Sequence, residues 1–269
     1  MTDAHRPQTR QFDQMDPARA QAMQATLGEE PTLSAGDPLP DFFHQLYFWT
    51  PMTPHQLGRD GHPARGQGVI PDLGLPRRMW AGGRLGFHKS LVLGRSAECI
   101  TTLEQAVCKD GRSGPLGVVT VSLEYHQNDT LCLREERDLI YREDAMPDAP
   151  TRTPPSAPEG GEFLKELRFD TTQLFRYSAL TFNGHRIHYD VDYAQHVEGY
   201  SGLVVHGPLL AQNLVIAATE ALGPLARFSF RATSPLMHFE TATIHRDGTQ
   251  FWIAGPDGQQ CMEATAVPQ

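Results

Sequence analysis

Apolar positions along the chain change period several times, and each change marks an element. Residues 1–36 are polar apart from a helical patch over Pro17 to Leu27, where Asp16 is placed to cap and Pro17 to occupy the first helical position. Asp41 to Trp49 is apolar and aromatic and predicts a short helix or strand. A loop rich in glycine and proline follows from Thr50 to Pro76 and contains Asp60-Gly61-His62-Pro63. Loops of that length without structure of their own are often functional. From Arg84 to Arg142 the period becomes that of strands, at about 84–91, 95–108, 115–126 and 131–142. Turn residues separate them at Leu93-Gly94, Lys109-Asp110-Gly111 and Asn128-Asp129. Adjacent strands joined by short turns predict an antiparallel meander.

The segment 144–161 carries five prolines and no apolar run, and reads as a linker. Beyond it come a strand at 162–169, a helix over 171–179 capped by Asp170, and a short polar segment at 192–196. A helix from Gly207 to about Leu222 is apolar on almost every side, which predicts burial on most of its faces. Strands at 225–233, 236–246, 249–255 and 260–267 end the chain, with hairpin turns at Asp247-Gly248 and Asp257-Gly258. A buried helix followed by a meander is a sheet wrapped around one helix. The first half repeats the meander. The pattern therefore predicts an α+β chain of two such units joined edge to edge: an arm at 1–36, a unit at 37–143, the linker at 144–161 and a second unit at 162–269.

Composition narrows the partners. The 269 residues carry a formal net charge of −9 with a pI near 5.7. That argues against nonspecific binding to nucleic acid or to an anionic membrane. At 39% hydrophobic residues and a mean hydropathy of −0.40, the chain reads as a water-soluble cytoplasmic protein, without a membrane span or signal peptide. Cys99, Cys108, Cys132 and Cys261 lack metal-ligand spacing and read as free thiols, so no metal site is expected. Gly82-Gly83 and Gly160-Gly161 lack the flanking pattern of a phosphate loop, and Ser201-Gly202 lacks that of a nucleophile elbow.

The candidate chemistry lies between Tyr177 and Leu214. An imidazole-bearing loop, Thr181-Phe182-Asn183-Gly184-His185-Arg186-Ile187-His188-Tyr189-Asp190, is followed by His206-Gly207-Pro208 at the start of the apolar helix. The loop supplies a base at His188. The helix start supplies a backbone N–H at Gly207, aimed by the helix dipole. Together they can polarise a carbonyl and move a proton beside it.

These residues resemble the hydratase motif of MaoC-like enoyl-CoA hydratases of the hotdog fold, Ser/Thr-Gly-Asp-x-Asn-Pro-Leu-His-x-Asp followed by His-Gly-x-Leu-Leu. Thr181, His188, Asp190, Ala194, His206, Gly207, Leu209 and Leu210 match it. Pro76 to Gly83, Lys109 to Leu116 and Glu135 to Arg142 resemble the degenerate dehydratase domain that often precedes it. The likeness covers most of 40–267 and is nearest to the mesaconyl-C4-CoA (3-methylfumaryl-CoA) hydratases, the itaconyl-CoA hydratases and the mitochondrial type-2 hydroxyacyl-thioester dehydratases. It implies a double hotdog, an acyl-CoA substrate and reversible syn hydration of an enoyl-CoA without added cofactor; an oligomeric state is left open. The motif's aspartate is Asn183 here, its asparagine is His185 and its proline is Arg186. An amide does not accept a proton at neutral pH. The favoured expectation is therefore that His188 moves the proton, Asn183 holds water and the Gly207 N–H takes the oxyanion; the alternative is that Asp190 or another carboxylate substitutes for the missing aspartate. Arg186, His185, His206, Arg78, Tyr189 and Asp190 are the candidate substrate contacts, with Arg77, Lys109 and Arg112 as further candidate cations. Arg186 in place of the proline suggests a clamp for a second carboxylate, and hence a branched C5 dicarboxylyl-CoA giving citramalyl-CoA. A short-chain enoyl-CoA, or a thioesterase or noncatalytic acyl-CoA-binding module of the same fold, are the alternatives.

Overall fold

The computed structural model describes residues 6–111, 114–144 and 153–269. Arg112 and residues 145–152 of the expected linker lie outside them. Ten strands form one antiparallel sheet: β1 Gln8–Asp13, β2 Arg77–Phe87, β3 Ala97–Gly111, β4 Gly114–Gln127, β5 Thr130–Arg142, β6 Glu162–Leu167, β7 Leu225–Ala232, β8 Ala242–Asp247, β9 Gln250–Ala254 and β10 Gln260–Pro268. Their order is β1-β3-β4-β5-β2-β7-β10-β9-β8-β6. The two expected meanders are therefore present, and they join through β2 and β7, with Gly83 opposite Phe230. That junction needs its two glycines. A Cβ on Gly82 would stand 2.5 Å from the Phe230 carbonyl oxygen, and one on Gly83 would stand 2.9 Å from the Phe230 ring.

The helices are α1 Pro17–Leu27, α2 Thr171–Leu180, α3 Val191–His196 and α4 Gly207–Leu222. The span of α4 coincides with the apolar run. Its buried residues include Leu209, Leu210, Leu214 and Val215, and it packs on β7, β9 and β10. Burial of each such side chain stabilises the fold by about 1.5–3 kcal/mol. The sheet of the first half holds a 3-10 turn instead, Phe43–Leu46. Phe42 and Leu46 anchor that turn in the core, with the Phe42 ring edge-on to Phe230. One turn fills less space than a 16-residue helix, and the space left over becomes a cavity between the halves.

Four details differ from the pattern. Strand β2 begins at Arg77 rather than at about 84, which puts Arg77 and Arg78 on the sheet. The arm contains β1, whose polar, largely exposed residues pair with β3 through the backbone ladder and through the Gln8–Thr102 and Arg10–Glu98 side-chain contacts. Residues 236–241 form a loop rather than the start of β8, because Met237 bridges to Val204 and its N–H is capped by Glu240. Helix α1 reaches the second half, where Gln173 donates to the Thr26 carbonyl. The four thiols are free, three of them buried and Cys108 exposed. No helix among the described residues is long and apolar enough to cross a membrane.

Candidate active site

The imidazole loop runs from the end of α2 to the start of α3. Asp170 accepts from Gln173 at the start of α2, and Asp190 accepts from Tyr193 at the start of α3. Between them, Phe182 takes a left-handed conformation and the Asn183 N–H returns to the Ser178 carbonyl. A 3-10 turn over Arg186–His188 then carries the His188 ring inward. The Nδ1 of His188 lies 2.7 Å from the Val204 carbonyl oxygen. A carbonyl only accepts, so Nδ1 holds the proton and Nε2 presents a lone pair. Burial pushes the His188 pKa down to about 3, against the upward pull of the Val204 bond. The ring stacks on His206 at 3.7 Å. His206 is fully buried and paired with Ser178 at 2.8 Å, and its burial pushes its pKa well below the usual histidine range.

Gly207 opens α4 and lines the cavity, and its N–H has no acceptor among the described residues. Close packing does not require glycine there, because an added Cβ would meet nothing nearer than the Trp80 carbonyl oxygen at 4.0 Å. Without an acceptor among the described residues and on a cavity-lining residue, this N–H can serve a ligand oxygen.

A second group reaches the same place from the first half. The loop carrying Asp60, Gly61 and His62 docks backbone to backbone on the imidazole loop. Arg186 N–H donates to the Asp60 carbonyl at 2.9 Å. A Cβ on Gly61 would run into the Gly184 carbonyl, and one on Gly184 would stand 2.5 Å from that of Gly61. Through this contact His62 packs against His185 with ring centroids 4.4 Å apart. Its Nδ1 donates to the Asp60 carboxylate at 3.1 Å. Burial, then the Arg78 charge, push the His62 pKa down to about 4 while Asp60 pulls it up. Burial, then the charges of His62 and His188, push His185 down to about 2. Burial pushes the Asp60 carboxyl up, but its bonds to His62 outweigh this and hold it well below the usual range. Asp60, His62 and His185 each bring a ligand atom within 4.8 Å of the others, a spacing that can also hold a cation.

These groups face a cavity of about 580 Å3, which His188, Asn183, Gly207, His185 and Arg78 all line. That volume suits a small-molecule site. The remaining expected contacts sit elsewhere. Arg186 donates twice to Asp190, at 3.0 and 2.7 Å, and its guanidinium lies over the Tyr193 ring. The clamp expected at Arg186 is thus occupied by the protein itself. Asp190 is committed to that pair and to its cap. Tyr189 points its hydroxyl to the Gly184 carbonyl. His206 lies behind His188 rather than at the cavity wall. Lys109 is on an exposed stretch of β3, outside the lining. Of the three lining arginines, Arg77 pairs with Glu198 and Arg137 with Glu135. Arg78 has no carboxylate partner among the described residues.

Sequence reasoning missed Asp60 and His62 as site residues. Their signal was the Asp-x-His pair inside the long loop, whose spatial partner was not visible. Glu135, outside the lining, is fully buried and bonded to the lining residues Arg137, His44, Gln45 and Tyr125.

The model of the hydroxyacyl-thioester dehydratase type 2 family matches residues 42–238. The chain is 43% identical over 255 residues to the mesaconyl-C(4)-CoA hydratase of Chloroflexus aurantiacus, covering 91% of this chain and 90% of that one. It is 28% identical to the mitochondrial hydroxyacyl-thioester dehydratase type 2 of Schizosaccharomyces pombe, over 72% of each chain. Among solved structures it resembles HtdX of Mycobacterium tuberculosis, with a TM-score of 0.70 at 16% identity over 98% of this chain and 100% of that one. A second M. tuberculosis protein, described as a double hotdog, superposes with a TM-score of 0.56 at 15% identity, over 95% and 92% of the two chains. The expected double hotdog is therefore the fold of this chain.

Proposed function

The chain belongs to the hydroxyacyl-thioester dehydratase type 2 family, a family of MaoC-like hydro-lyases, and on that premise we propose that it adds water reversibly to a branched, unsaturated dicarboxylyl-CoA, mesaconyl-C4-CoA, to give citramalyl-CoA. One observation carries the site assignment: His188, with Nε2 left as its acceptor, and Gly207, whose N–H has no acceptor among the described residues, line one cavity. The thioester oxygen accepts from Gly207 at the positive end of α4, where charge develops as water attacks. His188 accepts from the attacking water, and the Asn183 amide orients it. Asn183 is itself oriented by the His185 N–H, which donates to Asn183 Oδ1 at 3.1 Å.

Arg78 favours the dicarboxylyl substrate over a plain enoyl-CoA. It is the lining arginine without a carboxylate, and its charge acts on both His62 and His185 beside the reacting position. In mesaconyl-C4-CoA the free carboxylate is borne by the carbon that water attacks, so a cation is needed at that end of the cavity. Coenzyme A enters as part of the substrate, and the chemistry needs no further cofactor.

Loss of enoyl-thioester absorbance over a panel of C4–C6 unsaturated CoA thioesters, with a thiol reagent in parallel, tests this reading. Hydration removes absorbance without freeing thiol. His188→Ala is expected to lose hydration by at least about a hundredfold with an unchanged fold. Release of thiol in place of hydration would make the protein a thioesterase, and a variant within about tenfold of wild type would remove His188 from the site.

A further inference from the structure

We propose that His62, backed by Asp60, is the general base of the reaction and fills the place of the carboxylate that is missing at Asn183. This rests on the hydratase reading above and deepens it. The motif position holds an amide, so the group that exchanges the proton has to come from elsewhere in the cavity. Two neutral imidazoles line it, His188 held by the Val204 carbonyl, and His62 held by the Asp60 carboxylate and next to the Asn183 side chain.

What separates them is the fate of the charge. If His188 took the proton, its imidazolium would be buried with a backbone carbonyl on one nitrogen and the His206 ring at 3.7 Å, and no carboxylate faces it among the described residues. An uncompensated buried charge of this kind is strongly destabilising. If His62 takes it, Nδ1–H already points at the Asp60 carboxylate at 3.1 Å, and the product is an ion pair of zero net charge. Other charged and titratable groups act on His62 as well. Arg78 opposes its protonation, and His185 and His188 do so when charged. A substrate carboxylate seated on Arg78 offsets the first of these at the moment the base is needed. His188 then keeps a single role, as the acceptor that fixes the attacking water through its second O–H.

The step balances with one base. A water O–H bond breaks and its proton goes to His62 Nε2. The oxygen bonds to Cβ, and the π pair moves to the thioester oxygen at Gly207. The imidazolium then gives its proton to Cα as the enolate collapses, which returns His62 to its starting state. The result is one added water and no change in the protein. Proton pick-up and delivery by one group on one face account for a syn addition.

The test compares wild type, His62→Gln and Asp60→Asn in hydration of mesaconyl-C4-CoA across pH 3–9, with thermal melting at each pH to check folding. His62→Gln is expected to lower kcat by roughly a hundredfold or more with KM changed by little. In wild type kcat falls as pH drops and the base is protonated. Loss of the Asp60 carboxylate lowers the His62 pKa, so in Asp60→Asn this acid limb is expected to move down by roughly one to two pH units while the plateau rate falls. A purely structural role for Asp60 would leave the limb in place. Wild-type hydration with His62→Gln within about threefold in kcat would overturn the assignment and leave the hydratase reading intact. An unshifted acid limb in a folded Asp60→Asn would also overturn it, as would loss of wild-type activity to a chelator, which would make Asp60, His62 and His185 a metal site. Absence of hydration by wild type on every thioester would instead defeat the earlier reading.

Discussion

At the level of single residues, three of the chain's departures from the motif have a spatial counterpart. Asn183 replaces a carboxylate, and Asp60 brings one back through His62. His185 replaces an asparagine and packs between His62 and His188. Arg186 replaces a proline and holds the loop closed on Asp190. The identity of the odd residues was legible in the sequence, but their partners were not. Arg186 looked like a free cation because Asp190, four residues on, was assigned to the substrate as well. Geometry closes that pair on itself away from the cavity lining and leaves Arg78 as the lining cation without a carboxylate partner among the described residues. Arg78→Gln is therefore expected to weaken binding of a dicarboxylyl-CoA by about tenfold to a hundredfold, the value of a charge-assisted bond, and to leave a neutral enoyl-CoA such as crotonyl-CoA unchanged. Arg186→Ala should lower melting temperature without altering that preference. KM measured for both substrates in both variants checks this, and a preference that moves with Arg186 rather than Arg78 would reverse the assignment.

At the level of elements, the parts that bury an apolar face were readable and the parts that work by backbone contact were not. Helix α4 and most of the meander strands fell where periodicity placed them, because their side chains pack on one core. Strand β1 was invisible because its polar residues leave no alternation. The docking of the two loops was invisible for a related reason. It is made by Gly61 and Gly184, which have no side chain to show a pattern, and by a backbone bond from Arg186 to Asp60. Gly61 also takes a φ of 84°, a region that glycine occupies without strain. Gly61→Ala should force the loops apart and carry Asp60 and His62 away from the cavity. Because the contact lies outside the sheet, kcat is expected to fall by at least about tenfold while the melting temperature moves by only a few degrees. Equal kcat in a folded Gly61→Ala would show that the docking does not position the site.

At the level of the whole molecule, one sheet spans both halves and the site belongs to neither. The first half contributes Asp60, His62 and Arg78, and the second contributes His188, Asn183 and Gly207. This gathers four histidines, His62, His185, His188 and His206, at the join, with Asp60 as the carboxylate beside them. Burial holds all four below the ordinary histidine pKa, so the folded chain keeps them neutral at a pH where the unfolded chain charges them. The unfolded state then binds more protons, so stability rises with pH. The stabilisation is fully present above the unfolded histidine pKa of about 6.5 and is lost as pH falls from there toward the folded values near 4 and below. Glu135 acts with the same sign over a lower window. Burial raises its pKa, but Arg137 and His44 together hold it well below the usual range, and its contribution disappears only below the ordinary glutamate pKa. Unfolding free energy from urea titrations is therefore expected to drop steeply between pH 7 and pH 5. Each fully buried histidine contributes at most about 1.4 kcal/mol per pH unit. His206 makes the clean test, since it lines no part of the cavity and its Nδ1 has no partner among the described residues. His206→Gln should flatten the slope by up to one histidine's share. A slope unchanged by that substitution would mean that His206 titrates normally in the folded state, and that the burial of the cluster is not what sets its charge.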